Sequence, residues 1–223
     1  KSDLMIDNAS NITVGIENVD VFLPNKNKDI LIKDCTIDLM KYQSLLIMGA
    51  SGVGKSTLLR TLAGLWPYAK GNVYLPKEEE FLFLPQRPYL PLGSLRQAIS
   101  YPVVEEVISE KYSDEEIKEI LIACKLENLA DKLDIVDDWS RILSLGEQQR
   151  IAFVRILLYR PEFVFLDEAT SALDEDLEGN LYDMLKIHLP NTKIISIAHR
   201  SSLIAKHQAI LRLKEKGCWE IHE

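Results

Sequence analysis

Lys55, Ser56 and Thr57 close a glycine-rich run, Gly49-Ala50-Ser51-Gly52-Val53-Gly54. Four apolar residues, Leu45 to Met48, precede the run, and a helical pattern of Leu58, Leu59, Leu62 and Ala63 follows it. A strand, a glycine turn and a helix in that order let successive backbone N–H groups converge on one anion. Glycine accepts the tight turn, and the helix start contributes the positive end of its dipole. The G-x4-G-K-S spacing adds an ammonium, Lys55, for β- and γ-phosphate oxygens and a hydroxyl, Ser56, for Mg2+. The chemistry implied is capture of a nucleotide's phosphate tail, with Gly49, Ser51, Gly52, Val53, Gly54, Lys55, Ser56 and Thr57 as the contact set. The competing reading is a glycine-rich turn that happens to match; the strand, loop and helix context and the second half of the chain weigh against it.

Asp167 and Glu168 follow a second apolar run, Phe163–Leu166. Beside a phosphate-binding loop, strand-end acids have defined tasks. Asp167 suits Mg2+, directly or through water, and Glu168 suits an attacking water, which it can orient or deprotonate. Gln86 ends another apolar strand pattern, Phe81–Leu84, where its amide can contact Mg2+ or the water. His199 ends a further one, Lys193–Ala198, where it can hydrogen-bond the γ-phosphate. His188, His207 and His222 read as surface or capping residues. Ser144 and Gly146 open another helical pattern and form a second anion site there. One chain thus carries two phosphate-binding helix ends.

These residues need elements to hold them. Residues 1–11 are polar and read as a linker. Ile12 to Phe22 alternates (Ile12, Val14, Ile16, then Val19, Val21), predicting an edge strand of an antiparallel sheet, and Ile30 to Leu39 alternates again and pairs with it. Gly71–Pro76 and Phe81–Leu84 are short strands. Ser94 caps a short helix to Ser100. From Tyr101 to Leu143 the pattern turns to charged amphipathic helices, one opened by a capping box of Ser113 and Glu116 that buries Ile117, Ile120, Leu121 and Cys124. A long helix runs to Tyr159, a helix follows Ser171–Asp174, and the tail reads as a hairpin. The acidic runs Glu78–Glu80 and Asp114–Glu116 read as solvated faces. Buried apolar strands alternating with helices predict an α/β fold: a P-loop NTPase core with a mostly parallel sheet, an antiparallel β subdomain and an inserted helical lobe at about 94–158.

The 223 residues suffice for one large domain, and 47% hydrophobic residues supply a core. A net charge of -8 argues against a nucleic-acid partner held by its phosphates. The three cysteines, Cys35, Cys124 and Cys218, lack metal-ligand spacing and read as buried or free thiols in a reducing compartment. No apolar run approaches the roughly 20 residues that span a bilayer. The chain opens at Lys1, which is read as the cut end of something longer.

Taken together, the motifs resemble the ATP-binding domain of ABC transporters over nearly the whole chain. Gly49–Thr57 resembles Walker A, Gln86 the Q-loop, Leu143–Gln148 the signature loop, Phe163–Glu168 Walker B, Ser171–Asp174 the D-loop and His199 the switch histidine, in the family's order and spacing. The resemblance implies an ABC ATPase domain over residues 12–223, ATP and Mg2+ as ligands, and Glu168, His199 and Gln86 in catalysis. It implies Ser56, Gln86 and Asp167 at the metal, and Ser144, Gly146 and Glu147 on nucleotide. It also implies a head-to-tail homodimer with two ATP sandwiched between Walker A of one chain and Ser144/Gly146 of the other, which gives the second anion site a use. Gly64–Pro67, Leu84–Arg96 and Leu143–Arg150 are similar to the peroxisomal fatty-acyl half-transporters and their bacterial relatives, which resemble peptide and cobalamin uptake proteins. That subgroup fuses a transmembrane domain ahead of the ATPase, so the linker at 1–11 is expected to lead from one, with the domain on the cytosolic face of a bacterial inner or organelle membrane. Three positions depart from the family pattern. Leu145 replaces a second signature glycine, the turn glycine before the Walker A strand is missing near Tyr42-Gln43, and Leu23, beside Phe22, stands where an aromatic normally stacks on adenine.

The alternative is a soluble ABC ATPase of DNA repair or translation. Repair types need a very long coiled coil between Q-loop and signature, and only residues 87–142 lie there; translation types carry two such domains and tend to be basic. A catalytically dead nucleotide-binding module is opposed by Lys55, Asp167, Glu168 and His199.

Overall fold

The computed structural model describes residues 4–7 and 13–223. In chain order they form β1 (Leu4–Asp7), β2 (Gly15–Phe22), β3 (Ile30–Asp38), β4 (Ser44–Gly49), α1 (Lys55–Leu62), β5 (Ala69–Tyr74), β6 (Phe81–Leu84), β7 (Gly93–Ser94), α2 (Leu95–Ser100), α3 (Glu105–Lys111), α4 (Asp114–Ala123), β8 (Val136–Asp137), α5 (Trp139–Ile142), α6 (Leu145–Tyr159), β9 (Phe163–Asp167), α7 (Glu175–His188), β10 (Lys193–Ile197), β11 (Ala209–Leu213) and β12 (Trp219–His222). The chain divides into two units, one of residues 1–83, 161–168 and 191–223, the other of 84–160 and 169–190.

The first unit is built on a six-stranded sheet in the order β12-β11-β4-β10-β9-β6. β4, β9, β10 and β11 are mutually parallel, and β12 returns antiparallel to β11. Strands covered on both faces must be apolar throughout, and all five residues of β9 are buried. The register sets the site. Ile197 stands opposite Ile47 on one side and Asp167 on the other, and Leu213 stands opposite Gly49, so the C-terminal ends of these strands share one edge. In an open parallel sheet that edge is where ligands bind. Phe165 fixes the middle of β9 by packing edge-to-face on Phe81 and stacking on Phe83.

A four-stranded sheet, β1-β5-β2-β3, covers part of the same core, with Val19, Val21, Ile32 and Ile37 packed among Leu45, Leu58 and Leu62. β2 and β3 carry β-bulges near Asn18 and Asp34. The register slips between Ile16 and Val19, and both Asn18 and Asp34 have positive φ. Side chains catch the displaced backbone, Thr36 Oγ1 accepting from Asn18 N–H and Asp20 Oδ1 from Asp34 N–H.

Two expectations change here. β2 is an interior strand, because β5 pairs antiparallel along its second side, and the edges of this sheet are β1 and β3. Alternation reports a buried face and is silent on how many neighbours a strand has. Within the stretch read as a linker, Leu4–Asp7 forms β1, parallel to β5 from Leu4 opposite Gly71 to Asp7 opposite Tyr74. The outer edge of β5 offers unpaired backbone groups, and Leu4-Met5-Ile6 can pair with them. Residues 1–3, 8–11 and Ile12 lie outside the described residues.

The second unit is mainly helical, and three of its helices open with capping boxes, at Ser94 with Gln97, Ser113 with Glu116 and Ser144 with Glu147. α6 is its buried axis, apolar on nearly every side from Ile151 to Leu158, and Phe153 packs edge-to-face on Tyr182 of α7. Three of the acids expected to be merely solvated have partners: Glu116 in its capping box, Glu80 with Lys77 at 3.7 Å, and Asp114 with Arg96 at 2.8 Å, where Arg96 also holds Asp134 at 3.0 Å. Burial pushes the thiols of Cys35 and Cys124 up to about 12, which makes both poor nucleophiles.

Candidate functional site

β4 delivers the chain to Gly49 at the sheet edge, and the loop then turns sharply. Gly52 has φ +77° and Gly54 φ +113°, left-handed conformations that other residues resist. A Cβ on Gly54 would also come within 2.8 Å of the Leu31 side chain. Gly54 caps α1 without a side chain, and the first helical bond runs from Leu58 N–H to Gly54 O. The N–H groups of Lys55, Ser56 and Thr57 are therefore ones that helix geometry leaves without an intrahelical acceptor. Together with the loop amides they can form a cradle for an anion.

Lys55 is buried, and its Nζ donates to Gly49 O at 2.8 Å and Ala50 O at 2.9 Å. Burial holds its pKa below the usual lysine value, while Glu168 and Asp167 oppose that shift. The two carbonyls take two of the ammonium's three hydrogens and cannot neutralise it; phosphate oxygens in the cradle can take the third and supply the negative charge.

Ser56 Oγ donates to Asp167 Oδ1 at 2.9 Å. Burial raises the pKa of Asp167, and the Ser56 hydroxyl, Arg60 and Lys55 counter it. The pair fits Mg2+, since both donors are hard oxygens and adjacent ligands of an octahedral ion with bonds of about 2.1 Å stand roughly 2.9 Å apart.

Glu168 comes next, with φ +53° and its N–H bonded to Ile197 O at 3.0 Å. A left-handed glutamate costs roughly 1–2 kcal/mol, and such strain concentrates at functional sites. It turns the carboxylate out of the strand, where His199 Nε2 meets Glu168 Oε1 at 2.8 Å. The expected contact of His199 was a γ-phosphate; its partner here is the carboxylate. The first unit thus brings together Gly49–Thr57, Asp167, Glu168 and His199.

Gln86, Ser144, Gly146 and Glu147 belong to the second unit. Gln86 Nε2 donates to Ser171 Oγ at 3.0 Å. Ser144, expected as an anion contact, caps α6 by accepting from Glu147 N–H at 3.2 Å. Glu147 turns back to accept from Ser144 N–H at 3.1 Å and Ser144 Oγ at 3.0 Å. Burial of Glu147 opposes ionisation, but the Ser144 bonds, Asn128 and Arg150 outweigh it and hold the carboxyl below its ordinary pKa. Gly146 lies against the Ser171–Asp174 turn, where a Cβ would be 3.3 Å from Ala172 O.

Sequence reasoning passed over Gln149 and Arg155. Gln149 is fully buried and bonded to Gln86, Ser171 and Ala172. Arg155 donates to Ala98 O and Tyr89 O and lies over the Tyr101 ring, and burial lowers its pKa to about 10. Arg155 is a charged residue inside the apolar run Ile151–Leu158, which was the available signal, whereas Gln149 lies in the polar stretch Glu147–Arg150 and carried none. Tyr68 was also missed. It lines a cleft of about 830 Å³ in the first unit with Phe22, Leu23, Pro24, Lys26 and Lys70.

The profile of the family described as ABC transporter matches residues 32–171. An ABC transporter ATP-binding protein of Haemophilus influenzae is 49% identical over 191 residues, which is 86% of this chain and 31% of that protein. The ATP-binding cassette sub-family D member 1 of Drosophila melanogaster is 36% identical over 97% of this chain and 30% of its own length. The chain thus spans about a third of these relatives. Among solved structures, a bacterial Atm1-family ABC exporter with ATP bound shares the fold, with TM-score 0.75 and 24% identity over 94% of this chain and 38% of that one.

Proposed function

This chain belongs to the ABC transporter family as an ATP-hydrolysing, nucleotide-binding domain, and we propose that it is the motor of a membrane transporter, working as a homodimer that closes on two ATP and reopens after hydrolysis. The observation that carries the reading is the cluster at one sheet edge. The cradle at Gly49–Thr57 stands beside the Ser56–Asp167 pair, and Glu168 is held by His199 at 2.8 Å.

In this reading the loop amides and Lys55 hold the phosphate tail, and Ser56 and Asp167 hold Mg2+, with Gln86 as a further contact. Mg2+ bound there neutralises charge on the β- and γ-phosphates. Glu168 orients the attacking water and accepts its proton as the γ-phosphoryl group transfers to it. His199 fixes the Glu168 carboxylate before nucleotide arrives and is free to turn to the γ-phosphate afterwards. Ser144 and Gly146 of one protomer complete the site on its partner, which gives the α6 N-terminus a ligand that a single chain does not supply.

The finer assignment is to the sub-family D half-transporters and their bacterial relatives, with the domain on the cytosolic face of a membrane and coupled to a transmembrane domain fused ahead of it. The Drosophila relative, matched along nearly all of this chain, supports that placing, as do Gly64–Pro67, Leu84–Arg96 and Leu143–Arg150.

The test is ATPase activity per chain across a dilution series. A site completed by two protomers gives specific activity that climbs with concentration. A flat profile refutes the shared site and leaves a self-sufficient ATPase.

A further inference from the structure

We propose that Gln149 is a positioning residue for ATP hydrolysis, whose buried carboxamide ties the Gln86 backbone to the Ser171–Ala172 turn and thereby sets the directions of the Gln86 side-chain oxygen, Oε1, and the Ser171 hydroxyl proton. The proposal rests on the reading of Gln86 as a contact of Mg2+ or of the attacking water.

The geometry uses both ends of one amide. Gln149 Nε2 donates to Gln86 O at 2.8 Å and to Ser171 Oγ at 3.0 Å. Its Oε1 accepts from Ala172 N–H at 2.9 Å. The side chain has no exposed surface, so water does not share these bonds. Gln86 and Ser171 are themselves exposed residues of irregular segments, and each would sample many orientations unless something held it.

Two consequences follow from counting donors and acceptors. Ser171 Oγ receives two N–H donors, from Gln149 Nε2 and from Gln86 Nε2 at 3.0 Å. A hydroxyl oxygen has two lone pairs, so both are engaged and its own proton must point away from the two amides. Ser171 therefore becomes a donor of set direction. Gln86 is tied through its nitrogen, so its Oε1, on the other branch of the amide, is turned away from Ser171 as an acceptor of set direction. An acceptor suits a cation or a water proton, and a donor suits an anion or a partner's carbonyl.

The side chains nearest in size or chemistry do not reproduce the clamp. Glutamate would set a carboxylate oxygen against the Gln86 carbonyl oxygen, and leucine would strip Gln86 O and Ala172 N–H of their partner. Asparagine is one methylene too short to reach three groups at these distances.

The experiment is steady-state ATPase kinetics on the wild-type chain, Gln149→Leu, Gln86→Ala and the double variant, with thermal melting of each. The proposal expects kcat of Gln149→Leu to fall about tenfold or more, since a misplacement of 1 Å costs on the order of 10²-fold, while the KM for ATP stays within about threefold. It also expects the double variant to be no slower than Gln86→Ala alone, within roughly twofold, because residues acting through one another are non-additive. A Gln149→Leu chain with wild-type kcat overturns the proposal, as does a double variant whose loss is the product of the single losses. If Gln149→Leu does not fold, Ser171→Ala carries the test from an exposed position: it removes the shared acceptor, should lower kcat without raising KM, and overturns the proposal if its kcat is that of wild type. A Gln86→Ala chain with wild-type kcat overturns the underlying reading of Gln86, whereas a slow Gln86→Ala chain beside a wild-type-like Gln149→Leu chain overturns the positioning role alone, which separates the two failures.

Discussion

Ser56 Oγ donates to Asp167 Oδ1 across 2.9 Å, joining the start of α1 to the end of β9 over 111 residues of chain. The register of β10 with both β4 and β9 makes that possible, since it brings the two strand ends to one edge. The bond satisfies the hydroxyl but does not neutralise the carboxylate, whose burial keeps its pKa raised.

A raised folded-state pKa on an acid means that the folded chain binds the proton more tightly than the unfolded one. The contribution to stability is present below the unfolded value and is lost as pH climbs through the folded value. The nucleotide-free chain should therefore melt lower as pH rises out of the carboxylate range, and Asp167→Asn should flatten that part of the profile. The same variant should lose Mg2+-dependent ATP binding. Calorimetric melting between pH 4 and 8, at roughly half-unit steps, checks the first, and titration with ATP with and without Mg2+ checks the second.

Glu168→Gln keeps the size of the side chain and removes the carboxylate proposed as the base. Hydrolysis should fall by about 10²–10⁴-fold, the usual contribution of general-base catalysis, with ATP binding intact. Size-exclusion chromatography with ATP should then show a long-lived dimer. A variant that hydrolyses ATP like wild type would remove Glu168 from the mechanism.

Leu23→Tyr places an aromatic ring where the family pattern has one. Base stacking on an aromatic is worth about 1–3 kcal/mol, so ATP affinity should rise at least about fivefold, and affinity for triphosphate alone should not change. Equilibrium binding of ATP and of inorganic triphosphate to both chains separates these outcomes. Equal affinity for ATP would place the base away from Leu23.

Arg155→Met removes a buried cation at nearly constant volume. It deprives Ala98 O and Tyr89 O of a charged donor and Tyr101 of the cation over its ring. Hydrogen bonds to charged groups are worth about 1.5–3 kcal/mol each, so the urea midpoint monitored in the helical unit should drop by the equivalent of at least about 2 kcal/mol. Restoring only the charge with Arg155→Lys should recover little, because one ammonium does not reproduce the guanidinium's planar fork.

Much of this chain is legible residue by residue. The loop at Gly49–Thr57 declares itself by type and spacing within nine positions. The cap at Ser113 is written in a four-residue interval, and the structure bears it out. Even the bulges near Asn18 and Asp34 are visible as slips in the alternation of β2 and β3. Each is a short-range feature, in which a residue's conformation depends on neighbours a few positions away.

Other features had no such signal. Alternation said that β2 has a buried face but not that β5 would take its free side, nor that Leu4–Asp7 would extend the sheet. Gln149 reads as one polar residue near the start of a helix until its partners, 63 and 22 positions away, are brought to it.

The sequence by itself determined the chemistry available: which residues can hold phosphate, which acids end strands, and where helices begin. Tertiary structure decided how that chemistry is oriented, by turning Glu168 into a left-handed conformation toward His199 and closing Gln149 on two distant loops. The reason is physical. Local propensity and hydrophobic period depend on residues a few places apart. The direction of a hydrogen bond depends on both partners, and here the partners meet only after the strands and helices have packed.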